Sequence, residues 1–106
     1  MDRLSRIDMV IKLLEKEPDD LFLNYTLGLE YVAELNLTEA EALFKKVIDI
    51  EPTYIAAYYQ LGKLFESQLK NPEALIFFKA GLEKAKILKN EKAVNEFSEA
   101  VFLLED

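Results

Sequence analysis

Cysteine, histidine and tryptophan are all missing from the 106-residue sequence, and there are only three glycines and three prolines. No disulfide, thiolate or imidazole metal site, thiol nucleophile or histidine-mediated proton transfer can therefore form. No run approaches the roughly 18 to 20 apolar residues of a membrane-spanning helix. Met1 to Glu17 interrupts its apolar residues with Asp2, Arg3, Arg6, Asp8, Lys12 and Glu15, where a secretory signal needs an unbroken apolar stretch. Together with the missing cysteines, this makes the cytoplasm the expected location. Positive charge is also in short supply. Twenty acidic residues against thirteen basic ones leave a net charge of −7, which repels phosphate backbones and anionic lipid surfaces. Neither nucleic acid nor membrane is an expected partner.

What is present is helix. Hydrophobic side chains make up 51% of the chain, enough to build one domain's core. No linker, low-complexity tract or alternating apolar pattern marks a strand. Ser5 with Asp8, Thr38 with Glu41, and Asn71 followed by Pro72 and Glu73 read as helix starts, with Asp20, Thr53 and Asn90 as further caps. These signals predict six helices, at about 5 to 17, 20 to 35, 38 to 50, 54 to 69, 72 to 88 and 90 to 104. The short connections predict antiparallel neighbours.

Displaced by 34 residues, the sequence matches itself. Pro18 falls on Pro52, Tyr25 on Tyr59, Leu27-Gly28 on Leu61-Gly62, Tyr31 on Phe65, and Leu35 on Leu69. Glu39-Ala40 falls on Glu73-Ala74 and Phe44-Lys45 on Phe78-Lys79. The order Leu-Gly, aromatic, alanine, aromatic, proline resembles the tetratricopeptide repeat. The resemblance implies an all-α fold, an alpha-alpha superhelix of about six antiparallel helices, as one domain over 1–106. Within it, 7–20 is an N-terminal half-repeat, 21–54 and 55–88 are full repeats, and 90–104 is a capping helix. The arrangement is similar to small stand-alone bacterial tetratricopeptide proteins. In the half-repeat, Val10, Leu13 and Leu14 are in register with Phe44, Val47 and Ile48. Gly28, Gly62, Ala40 and Ala74 supply the small residues that let paired helices approach. Asn24 replaces a large aromatic that Tyr58 keeps, and Val47 and Gly81 stand where alanine is usual, so looser packing is expected there. Lys86 replaces the proline expected from Pro18 and Pro52, so the fifth helix runs on toward Asn90.

A search for chemistry finds no catalytic constellation. Serines occur only at 5, 67 and 98, with no histidine to activate them. The isolated glycines form no phosphate loop. Asp19 with Asp20, and Glu39 with Glu41, are carboxylates that a hard cation could use, but at helix starts they read as caps and dipole partners. The lysines at 79, 84, 86, 89 and 92 read as a solvated face. No enzyme activity, cofactor or metal is expected.

The resemblance assigns the first helix of each pair to a concave groove. It places Phe22, Tyr25, Thr26, Leu29, Val32 and Ala33 there from one repeat and Ala56, Tyr59, Gln60, Lys63, Glu66 and Ser67 from the next. The expected protein-binding set is Phe22, Tyr25, Leu29, Val32, Tyr59, Gln60 and Lys63. An apolar stripe of this kind marks either an interaction site or a face buried under the first helix. Co-chaperones of the family clamp a C-terminal carboxylate with lysine, asparagine and arginine. Here Tyr25, Leu29 and Gln60 occupy such positions, so an apolar or helical protein segment is the expected ligand. The alternative is self-association into a homo-oligomer. The last helix has an apolar stripe of Ala93, Val94, Phe97, Ala100, Val101 and Leu104, which Phe102 and Leu103 widen beyond one docking face.

Overall fold

The computed structural model describes residues 2–105. Among them the regular elements are six α-helices: α1 (Arg3–Lys16), α2 (Leu21–Ala33), α3 (Leu37–Ile50), α4 (Ile55–Ser67), α5 (Asn71–Ile87) and α6 (Glu91–Leu104). All six expected helices are present, within two residues of the expected bounds at each end. The expected domain bounds at Met1 and Asp106 lie outside the described residues. The chain divides between Glu51 and Pro52 into two compact units, α1–α3 and α4–α6.

Three helix starts follow side-chain capping and three follow the backbone. Asp2 accepts a hydrogen bond from the Ser5 amide, Asp20 from that of Leu23, and Asn90 from that of Ala93. Asp2 thus takes the part expected of Ser5. Thr38, Thr53 and Asn71 are not N-caps: α3, α4 and α5 start from Asn36, Tyr54 and Lys70, none of which makes a side-chain cap bond. For α3 and α5 the reason lies in the preceding turn. Leu35, Leu69 and Lys89 have positive φ values of 62°, 60° and 57°. The next amide closes a Schellman turn each time, Asn36 onto Tyr31, Lys70 onto Phe65 and Asn90 onto Ala85, at 2.9, 2.9 and 3.0 Å. The residue that ends one helix therefore begins the next, and backbone geometry sets the start. By contrast, α1 and α3 stop at Glu17 and Glu51, immediately before Pro18 and Pro52, because proline disfavours helical geometry in the residue ahead of it. With no proline there, α5 runs for 17 residues.

Within each unit the helices pack around phenylalanine. A Cβ built on Gly28 would lie 2.5 Å from Phe44 Cε1, and one on Gly62 would lie 2.5 Å from Phe78 Cδ1. These glycines exist so that α2 can approach α3, and α4 can approach α5. Ile7, Val10 and Leu27 form the core between α1 and α2, with Ile11, Leu14, Leu23, Tyr31 and Leu43 packed around it. Arg3 and Arg6 of α1 pair with Glu30 of α2 at 3.5 and 3.1 Å.

The looser packing expected at Asn24, Val47 and Gly81 is not found. Asn24 is 1% exposed, and its side-chain amide donates to the carbonyls of Pro18 and Asp20 at 3.0 and 2.8 Å. Tyr58 meets the same need in the second unit through its hydroxyl, which donates to the Pro52 carbonyl at 2.9 Å. Val47 is fully buried. Gly81 is filled from α6, since a Cβ there would stand 2.5 Å from Phe97 Cζ and 2.9 Å from the Tyr58 Cβ.

Candidate functional site

The residues expected to bind a partner fall on two helices, one in each unit. On α2, Phe22 is 69% exposed and Leu29 is 38% exposed, while Leu27 on the opposite face is buried against α1. The first helix therefore covers Leu27 and leaves Phe22 and Leu29 open. Val32 is half-buried. Tyr25 is half-buried as well, its ring 5.6 Å from that of Phe44. An α-helical stripe at 22, 25 and 29 thus combines two solvent-facing apolar side chains with one tyrosine fixed by the core.

On α4, Tyr59 packs its ring 5.6 Å from both Phe78 of α5 and Phe97 of α6. Lys63 is exposed and Gln60 half-buried. Tyr59 and Lys63, with Glu66, form one wall of a cleft of about 210 Å³ whose other wall is Glu96, Glu99, Ala100 and Leu103 of α6. Four charged side chains and one tyrosine edge make this a polar cleft with an acidic balance. Lys63 lies 4.0 Å from Glu66, a separation that contributes little at an exposed site. Both tyrosines hold hydrophobic contacts together, so only part of each ring is available to a ligand.

Glu96 and Glu99 were missed in the sequence because the last helix reads there as a terminal cap. The signal was a change of period. Counting from the first helical residue, Gly28, Gly62 and Ser98 all fall seven positions along α2, α4 and α6. The last helix is thus a first-of-pair helix displaced by 36 residues instead of 34. The additional two residues come from the longer α5.

Phe102 and Leu103, the expected self-association residues, are 78% and 69% exposed on α6. The acidic candidates have structural partners: Asp20 caps α2, Asp19 lies 3.8 Å from Lys46, and Glu41 lies 2.7 Å from Lys45. Among the described residues no group of three acidic side chains is placed to share a cation, and no helix is long and apolar enough to cross a membrane.

No family model and no curated protein matches the chain. Solved structures do. A tetratricopeptide repeat domain protein from Salinibacter ruber is 32% identical, with a TM-score of 0.78 over 83% of this chain and 89% of that one. A Bordetella parapertussis protein shares 24% identity at a TM-score of 0.80, covering 92% of this chain and 85% of its own. The TPR2B domain of yeast Sti1, solved in complex with pHsp70, has the same fold at a TM-score of 0.87 and 16% identity, over 97% of this chain and 82% of that one. Helix pairing, the glycine-to-phenylalanine contacts and the Salinibacter relative agree, and the chain belongs to the tetratricopeptide repeat family.

Proposed function

We propose that the protein is a binding module that presents the exposed faces of its first-of-pair helices to a protein segment. The observation that carries this reading is the open apolar pair on α2, where Phe22 and Leu29 face solvent although α1 packs on the same helix. Exposed neighbouring apolar side chains beside a tyrosine suit a partner's apolar anchors. In the second unit, taken by itself, the acidic balance around Tyr59 and Lys63 favours a basic residue in whatever segment binds there. The Sti1 domain in its pHsp70 complex is a precedent for binding on this fold. The lysine and asparagine positions of the family's carboxylate clamp hold Tyr25, Leu29 and Gln60 here, which argues for an apolar or helical ligand.

The same reading makes the protein a cytoplasmic adaptor without catalytic, cofactor or metal chemistry, and its net charge of −7 disfavours nucleic acid and anionic membranes. The test is co-purification from a cell lysate followed by calorimetry with the identified segment. Phe22→Ser and Leu29→Ser together should leave the helical signal unchanged and weaken binding by about tenfold or more. Full retention of affinity would remove α2 from the proposal. Mutating Tyr25 or Tyr59 is a poorer test, because both rings support the core.

A second reading, self-association through α6, is favoured by the exposure of Phe102 and Leu103, two large apolar side chains next to each other at the end of the last helix.

A further inference from the structure

The cleft between α4 and α6 lies within the second unit, and its size and its charge each narrow what can enter it. At about 210 Å³ it is below the roughly 300 to 1,000 Å³ of small-molecule sites, which leaves room for one side chain of a larger partner. Its lining carries Glu66, Glu96 and Glu99 against Lys63. Lys63 lies beside Glu66, whereas Glu96 and Glu99 have no ion-pair partner among the described residues. The helix ends add to this charge. The lining reaches the last turn of both helices, with Glu66 in α4 and Leu103 in α6, and neither last turn contains a basic residue. By contrast, α5 ends on Lys84 and Lys86. Lys79 reaches the residue after α6 but is matched there by Glu105 at 3.6 Å. The partial negative charge of two helix C-termini therefore adds to that of the carboxylates.

We infer that the cleft takes an arginine side chain of the bound segment, with its guanidinium between Glu96 and Glu99 and its aliphatic stem along Tyr59 and Leu103. The inference rests on the binding-module reading and names the chemistry of the ligand at the second unit. Three features select arginine. Among the described residues no three acidic groups are placed to share a metal ion, so the cation has to bring several spaced donors of its own. Glu96 and Glu99 stand one helical turn apart on one wall of the cleft, a spacing that suits a planar guanidinium with five donors in a fixed fork better than a compact, strongly hydrated ammonium. Tyr59 supplies a flat surface already held in place, because its ring packs 5.6 Å from both Phe78 and Phe97, so little side-chain entropy is lost on contact. Leu103, 69% exposed, adds an apolar shelf for the stem.

Lys63 then has a part opposite to that of an anchor. It lines the same cleft and repels an incoming cation, and Glu66 offsets that repulsion only in part, since the pair is 4.0 Å apart with both side chains exposed. The sign of a Lys63 substitution therefore separates an arginine ligand from an acidic one. A cationic side chain binds more tightly once Lys63 is neutral, and an anionic one more weakly. One side chain on solvent-facing carboxylates makes a weak contact by itself, in the millimolar range, and salt weakens it further.

Amide chemical shifts of the isotope-labelled full chain, titrated with the peptide acetyl-Ala-Leu-Arg-Leu-Ala-amide, test this. The probe should move the amides of Tyr59, Glu96, Glu99 and Leu103. The same peptide with citrulline, which keeps arginine's shape without its charge, should bind about tenfold more weakly. Glu96→Gln and Glu99→Gln alter exposed side chains without changing their size, so helical circular dichroism should match the parent chain. Each should weaken the arginine peptide about threefold, and Lys63→Gln should tighten it by about as much. If the citrulline peptide, or one with glutamate in place of arginine, moves the same amides with equal or higher affinity, the cleft does not select a cation; the binding-module reading then stands and the arginine falls. A lysine peptide that binds as tightly as the arginine peptide overturns the choice of a guanidinium. No movement of these amides with the arginine peptide overturns the inference as a whole, while the binding-module reading is judged separately by the lysate partner and the Phe22→Ser, Leu29→Ser variant.

Discussion

At one buried position the two units use different chemistry. In the first, the Asn24 amide reaches the carbonyl of Pro18; in the second, the Tyr58 hydroxyl reaches that of Pro52. A buried carbonyl next to proline needs a donor, and an amide or a phenol can supply it at very different volumes. A similar exchange occurs at the later helices. Gly81 of α5 stands where α3 has Val47, and within the second unit Phe97 of α6 fills the space that it leaves. Repeat packing thus requires a donor to the carbonyl next to proline and a filled space beside the glycine, and leaves open which residue supplies either.

The largest expected effect comes from breaking that volume exchange. Gly81→Val should destabilise by roughly 2 to 4 kcal/mol because Phe97 and the Tyr58 Cβ already fill the space. Adding Phe97→Leu should restore a large part of the loss. Urea midpoints of the two single variants and the double variant measure the coupling, and strict additivity would show that the pair does not compensate. Gly62→Leu and Ala74→Leu, with no compensating change, should cost about 1 to 3 kcal/mol or more.

Next in size is the donor comparison. Asn24→Ala removes two hydrogen bonds from a buried site and should cost about 1 to 3 kcal/mol, whereas Tyr58→Phe removes one and should cost about 0.5 to 1.5 kcal/mol. Equal losses in denaturant melts would mean that Lys46, whose ammonium also donates to the Pro18 carbonyl at 2.6 Å, carries that site.

A smaller effect of opposite sign is expected at the turns the units share. Leu35→Gly and Leu69→Gly relieve a left-handed backbone at side chains that are 80% and 88% exposed, and each should stabilise by about 0.5 to 1 kcal/mol. A loss of stability on thermal melting would give these leucines a contact role.

The smallest effect separates a titrating cap from a neutral one. The Ser5 amide, then its side chain, holds the Asp2 carboxyl below its ordinary range. Its contribution is present above that range and is lost as pH falls through the lowered value. Asn90 in the second unit has nothing to protonate, so amide exchange should rise with acid at the start of α1 before it does so at α6. Simultaneous fraying would indicate that the Asp2 cap is unimportant.

The sequence alone determined the helices, their antiparallel pairing and the family, because the 34-residue spacing of glycine, alanine and phenylalanine has one economical packing solution. It also placed Phe22, Leu29, Phe102 and Leu103 as surface candidates, since large apolar residues widened stripes that a core alone would not require. What only tertiary structure decided depended on neighbours distant in sequence. Whether α1 covered Phe22 or Leu27 was a question of helix rotation, which the periodicity of α2 leaves open when apolar residues surround most of it. The fit of Gly81 required Phe97, sixteen residues on in another helix. Three helix ends closed on non-glycine residues whose side chains gave no hint of positive φ.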